Sequence, residues 1–93
     1  MIEDILLDIK NRLVLPNTKR EIEMIERDVR AIRERIDRCE LAQAMQLLKE
    51  IGEAEARAVG YGMGEQMYKD LEKALRSFVN EISEKYTLKC CRR

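Results

Sequence analysis

Acidic side chains three residues apart on a helix share one side of it, and in this chain the spacing recurs at Glu23 and Glu26, Glu34 and Asp37, Glu50 and Glu53, and Glu81 and Glu84. Two such pairs aimed inward from facing helices would supply the oxygen ligands that magnesium needs to hold a phosphate substrate. The nucleophilic candidates are Cys39, Cys90 and Cys91. Histidine is absent, which removes the commonest general base and the commonest transition-metal ligand. Three cysteines, two of them adjacent, fall short of the four ligands of a structural zinc site. No catalytic residue, metal ligand or cofactor site is therefore assigned.

The carboxylate spacing also occurs in helical nucleotide pyrophosphohydrolases, and a magnesium-dependent activity of that kind is one alternative. Against it, Glu23 and Glu26 fall on the far side of their helix from its apolar positions, where Arg27 and Arg30 lie four residues on. Solvated faces account for these acids more simply. The cysteines allow a different chemistry. Cys39 ends an apolar series and reads as a small buried residue, but it can also form a disulfide with Cys90 or Cys91, within one chain or between two. Such bonds survive in the cytosol of hyperthermophiles, and the high Glu, Arg and Ile content suits that setting.

The element that must organise these residues is residues 18–39, where Ile22, Ile25, Val29, Ile32, Ile36 and Cys39 alternate in steps of three and four. That spacing lays one apolar stripe along a helix. Thr18 and Glu21 stand in the order of a capping box, which predicts the start of the helix. On the opposite face, Lys19, Glu23 and Arg27, and Glu26, Arg30, Glu34 and Arg38, alternate in charge four apart. These series predict ion pairs within the helix.

Past Cys39 the phase is lost. Leu41, Ala44, Leu48 and Ile51 define a new stripe, so a third helix is expected over 40–59, with Asp37 and Glu40 as its cap. The competing arrangement is a single bent helix over 18–59. Within the third segment, Gly52, Ala56 and Gly60 recur every four residues. They predict either a close helix approach or a frayed end.

A first helix over 2–15 is apolar around much of its circumference, which predicts cover on more than one side, and Pro16 ends it. The connection Gly60-Tyr61-Gly62-Met63-Gly64 is pliable. It lacks the lysine and hydroxyl of a phosphate loop, so it reads as a hinge. Tyr61 and Met63, apolar and placed on that loop, are the candidate partner contacts. A fourth helix follows over 65–86, with Met67, Leu71, Leu75, Phe78 and Ile82 inside. Residues 87–93, basic and cysteine-containing, read as a loose tail.

The expected architecture is all-α: an antiparallel bundle of about four helices, the first short, forming one domain over 1–86. Ninety-three residues give a thin core, and dimerisation would thicken it. Charged residues make up 39% of the chain, but 18 basic side chains balance 18 acidic ones, which disfavours recruitment of nucleic acid or an anionic membrane through net charge. The longest apolar run, Ile5 to Leu7, cannot span a membrane. The N-terminus opens with acids where a secretory signal is basic, so the expected location is cytoplasmic. These features predict a non-enzymatic interaction or assembly module, self-associating or binding another protein. A small nucleic-acid-associated regulator is the nearer alternative to the hydrolase.

Overall fold

The computed structural model describes residues 1–91. It contains four helices, α1 (Ile2–Arg12), α2 (Pro16–Asp37), α3 (Leu41–Gly60) and α4 (Glu65–Cys90), and no strand among the described residues. The expected antiparallel all-α bundle is the observed fold. It is elongated, 48 × 19 × 16 Å.

The proline acts earlier than expected. Helix α1 stops at Arg12, and Leu15, immediately before Pro16, is held extended at φ −74°, ψ 125°. Pro16 is then the first residue of α2. Its fixed φ suits that position and it has no N–H to leave unpaired. The capping box of Thr18 and Glu21 consequently does not form: Thr18 lies inside the helix with its Oγ1 buried and unpartnered, and Glu21 accepts from Arg57 Nε of α3 at 2.9 Å.

Helix α2 ends in a Schellman turn, with Glu40 N–H donating to Arg35 O at 2.8 Å and Cys39 N–H to Ile36 O at 3.0 Å. Cys39 holds the left-handed position, φ 58°, that glycine usually fills. The phase jump is thus a reversal of the chain, and the single bent helix is ruled out. Asp37 is the last residue of α2 and caps nothing, while Glu40 pairs with Arg35 at 3.1 Å. Nor is Cys39 a buried end to the stripe; the residue is exposed.

Helix α3 ends in the same way, with Met63 N–H donating to Ala58 O and Gly62 at φ 99°. In this turn the residue after the left-handed one packs back on the helix. Met63 is accordingly 7% exposed and belongs to the core, so its assignment as a partner contact is corrected, while Tyr61 remains exposed.

The core is built around α2, whose Ile22, Ile25, Val29, Ile32 and Ile36 are all buried. Against them lie Leu6, Ile9 and Leu13 of α1, Leu71, Ala74, Phe78 and Ile82 of α4, and Ala44, Ile51, Ala54 and Ala58 of α3. The alanines let α3 approach α2 closely. Gly52, Ala56 and Gly60 play no part in this packing: all three are exposed, and a Cβ added at Gly52 or Gly60 meets nothing within 4 Å. Helix α1 packs against both α2 and α4, yet Ile5, Leu7 and the following Val14 stay exposed.

The alternating charges of α2 do not pair along the helix as expected. Glu26 takes Lys10 of α1 at 2.9 Å, and Arg33 bridges Glu3 of α1 and Glu81 of α4, both at 3.1 Å, with its guanidinium 5.2 Å from the Phe78 ring centre. Neighbouring helices offer partners in less solvated positions, where each pair is screened less than on the outer face. One acid has no such partner. Asp28 is buried, its Oδ2 accepts no hydrogen bond, and burial together with the charge of Glu50 holds its carboxyl above the ordinary 3.8. A raised folded value means that stability falls as pH rises through it and is flat beyond. Asp28→Asn should raise the neutral-pH thermal midpoint by roughly 2 to 6 °C, and the gain should vanish on acidification below the unfolded value. A gain that persists unchanged in acid would contradict this.

Candidate interaction surface

Helices α1 and α4 both pack on α2 and on each other, and α3 packs on α2, but α3 and α4 form no comparable interface. Helices α3 and α4 enclose an open cleft of about 280 Å³, lined by Leu41, Met45 and Leu48 of α3 and Val79, Ile82 and Tyr86 of α4. Ile36 and Ala44 close it from within. Several of these side chains are incompletely covered: Met45 is 58% exposed, Val79 39% and Leu41 37%. A run of apolar groups of this kind, open to water, makes the cleft a candidate interaction surface.

One end of the cleft is clamped. A disulfide joins Cys39, in the turn between α2 and α3, to Cys90, in the last turn of α4, with Cα atoms 5.6 Å apart. Lys85 and Lys89 add to the clamp, pairing with the Asp37 carboxylate, and Lys89 Nζ also donates to Asp37 O at 2.7 Å. The hydrogen bond from Lys85 holds the Asp37 carboxyl below its ordinary value. These contacts correct the expectation of a loose tail from residue 87, since α4 continues to Cys90 and Cys91 is an exposed free thiol. The remaining tail residues, 92 and 93, lie outside the described residues. Of the pairings that the sequence left open, the structure contains Cys39 with Cys90.

Elsewhere on the same two helices, two acids lie close enough for one charge to act on the other. Glu55 of α3 has a buried Oε2 with no hydrogen-bond partner, and burial and the charge of Glu72 on α4 raise its carboxyl above the usual range. Tyr68 is raised in turn by its hydrogen bond to Glu72. The carboxylate pairs that suggested magnesium are not gathered. Glu26, Asp37 and Glu81 are engaged with Lys10, Lys85 and Arg33, and Glu23, Glu34, Glu50, Glu53 and Glu84 are exposed. Among the described residues no three His, Cys, Asp or Glu side chains are placed to share a metal ion.

Sequence reasoning missed the cleft because Leu41 and Leu48 were counted toward the core. Leu41 is exposed and Leu48 half-buried, and with Met45, Gly52 and Val59 they form a second stripe beside the buried one. Two apolar stripes on one helix were the available signal. Among the described residues no helix is long and apolar enough to cross a membrane. The fold and surface together define the class: a four-helix bundle with an open apolar cleft between α3 and α4. Comparison with protein families, with curated proteins and with solved structures finds no match to this chain.

Proposed function

We propose that this protein is a non-enzymatic helical interaction and assembly module that works by self-association through the α3–α4 side. The carrying observation is the open apolar cleft, with Met45, Val79 and Leu41 partly exposed at its rim. Filling it with a further helix would remove these groups from water. Light scattering over a concentration series tests the reading. The expected result is a dimer mass that Met45→Glu returns to the monomer without loss of helicity; a monomer at every concentration would remove the proposal. A hyperthermophile cytosol is the setting that accommodates both the composition and the Cys39–Cys90 bond.

A second reading, a nucleic-acid-associated regulator, is favoured by the outer face of α2. There Lys19, Arg20, Arg27, Arg30 and Arg38 make no ion pair among the described residues, and Glu23 and Glu34 are the acids that remain among them. The other acids of the helix are turned to neighbouring helices or buried, as Glu21, Glu26, Asp28 and Asp37 show. The face is therefore more basic than the sum along the sequence. A gel shift at low salt, reduced by Arg27→Glu and Arg30→Glu, would support it; no retardation would dismiss it.

A further inference from the structure

We propose that the Cys39–Cys90 disulfide is a redox latch: its reduction releases the last two turns of α4, residues 83–90, from a bundle that stays folded, and so opens one end of the α3–α4 cleft. The latch acts within a single chain, whether or not two chains associate. Burial along α4 stops well before the helix does. Leu71, Ala74, Phe78 and Ile82 are its buried residues; beyond Ile82 only Tyr86 and Cys90 are even half-buried, and the rest of the helix is exposed. Helix α1 gives no support there, since its first residues, Met1 and Ile2, meet α4 around Ala74, Phe78 and Glu81. On the other side, α3 and α4 form no interface comparable to those on α2. Two turns of helix with no side chain in the core do not hold themselves, because so short a helix is marginal in water.

The polar ties on this segment are weak. Lys85 and Lys89 pair with the Asp37 carboxylate, and Lys89 Nζ donates to Asp37 O, but all three side chains are about half exposed, where water and salt screen them. Thr87 donates only to Ser83 O, inside the segment. The covalent bond is the strong tie, and it sets Cys90 Sγ 3.7 Å from Ile36 O at the end of α2. It is also within reach of a reductant, because Cys39 is exposed in its left-handed turn position. One thiolate of a dithiol reductant bonds to Cys39 Sγ; the Cys39–Cys90 bond breaks, and its electron pair goes to Cys90 Sγ, which takes up a proton. The second thiol of the reductant then displaces Cys39 from the mixed disulfide, so that the reductant leaves as its own disulfide and both cysteines are thiols. Once the segment departs, Tyr86 and Thr87 no longer line the cleft, and Ile36, 1% exposed with the bond intact, loses its cover on that side.

Hydrogen exchange read by mass spectrometry tests the latch, on the full chain carrying Cys91→Ser so that no third thiol takes part. With the bond intact, the amides of residues 84–90 should exchange at least about a hundredfold slower than in an unstructured chain. In dithiothreitol, well below the melting midpoint of the reduced chain, they should come within about tenfold of the unstructured rate, while those of residues 25–36 in α2 stay at least about a thousandfold protected. Cys39→Ser without reductant should give the same released pattern. The rate of reduction is the second readout: the native bond should react within about tenfold as fast as the bond in the urea-denatured chain, since Cys39 Sγ is reached without unfolding. Residues 84–90 that stay protected after reduction, α2 amides that lose protection together with them, or a bond that resists dithiothreitol until the chain is denatured would each overturn the latch.

Discussion

Breaking the Cys39–Cys90 disulfide, by reductant or by Cys39→Ser, is expected to lower the thermal midpoint by roughly 12 to 30 °C. The bond spans 51 residues of sequence and encloses both α3 and the greater part of α4. Closing a loop of that size stabilises a fold by about 3 to 4 kcal/mol, chiefly by restricting the unfolded chain. In a domain of this length each kcal/mol corresponds to roughly 4 to 8 °C. The effect should be large here because α4 lacks a close neighbour on its α3 side, so the covalent link replaces packing that the bundle does not supply. Thermal melts with and without reductant measure it directly. Cys91→Ser, which removes an exposed thiol outside the bond, should leave the midpoint unchanged, and titration of the denatured protein should find one free thiol per chain. A midpoint insensitive to reductant, or three titratable thiols, would be incompatible with the clamp.

That clamp also marks the boundary of what the sequence discloses. The stripe from Ile22 to Ile36 forecasts the buried side of α2 because isoleucine and valine at helical spacing among charged residues have one way to leave water. The break after it was foreseeable from the same rule, since continuing the phase would have buried Gln43, Gln46 and Glu50. What escaped were choices between two locally acceptable signals. Pro16 and Thr18 could each begin α2, and the proline prevails because a fixed φ at the first helical position competes with a side-chain hydrogen bond worth about 1 kcal/mol. Met63 looks stranded when the loop is read as pliable. It is buried once Gly62 is recognised as the left-handed residue of a helix-ending turn, since the residue after it folds back.

The open apolar cleft was harder to foresee for a reason of geometry. Periodicity identifies which side of a helix is apolar, but not how many neighbours will cover it. On α3 the buried residues Ala44, Ile51, Ala54 and Ala58 and the open residues Leu41, Met45 and Val59 lie on adjoining sides, and apart from Ile51 the buried side chains are the small ones. Size favours burying leucine and methionine. Close approach to α2 favours alanine, and the bundle adopts that alternative. The electrostatics follow the same logic: pairs four apart along α2 were legitimate options, and Lys10, Arg57 and Lys85 on other helices drew the acids away, exposing a face of unpaired arginines.

If the buried stripe of α2 carries the fold and the second stripe of α3 carries association, the two should separate under mutation. Ile25 is fully buried near the middle of α2, in a close-packed core where little room remains to collapse further. Ile25→Ala should therefore cost about 3 to 4 kcal/mol, toward the upper part of the range for such truncations, and lower the urea midpoint accordingly. Against a total of about 5 to 15 kcal/mol for a domain, that is a substantial share. Ile25→Val, which leaves a smaller void, should cost about 1 kcal/mol. Met45→Glu, on the exposed stripe, should leave the urea midpoint of the dilute monomer within about 0.5 kcal/mol of the parent while abolishing association. Urea titrations at low protein concentration distinguish these effects. An Ile25→Ala variant as stable as the parent would remove α2 as the centre of the core, and a destabilised Met45→Glu monomer would mean that the α3–α4 side is needed for folding as well as for contact.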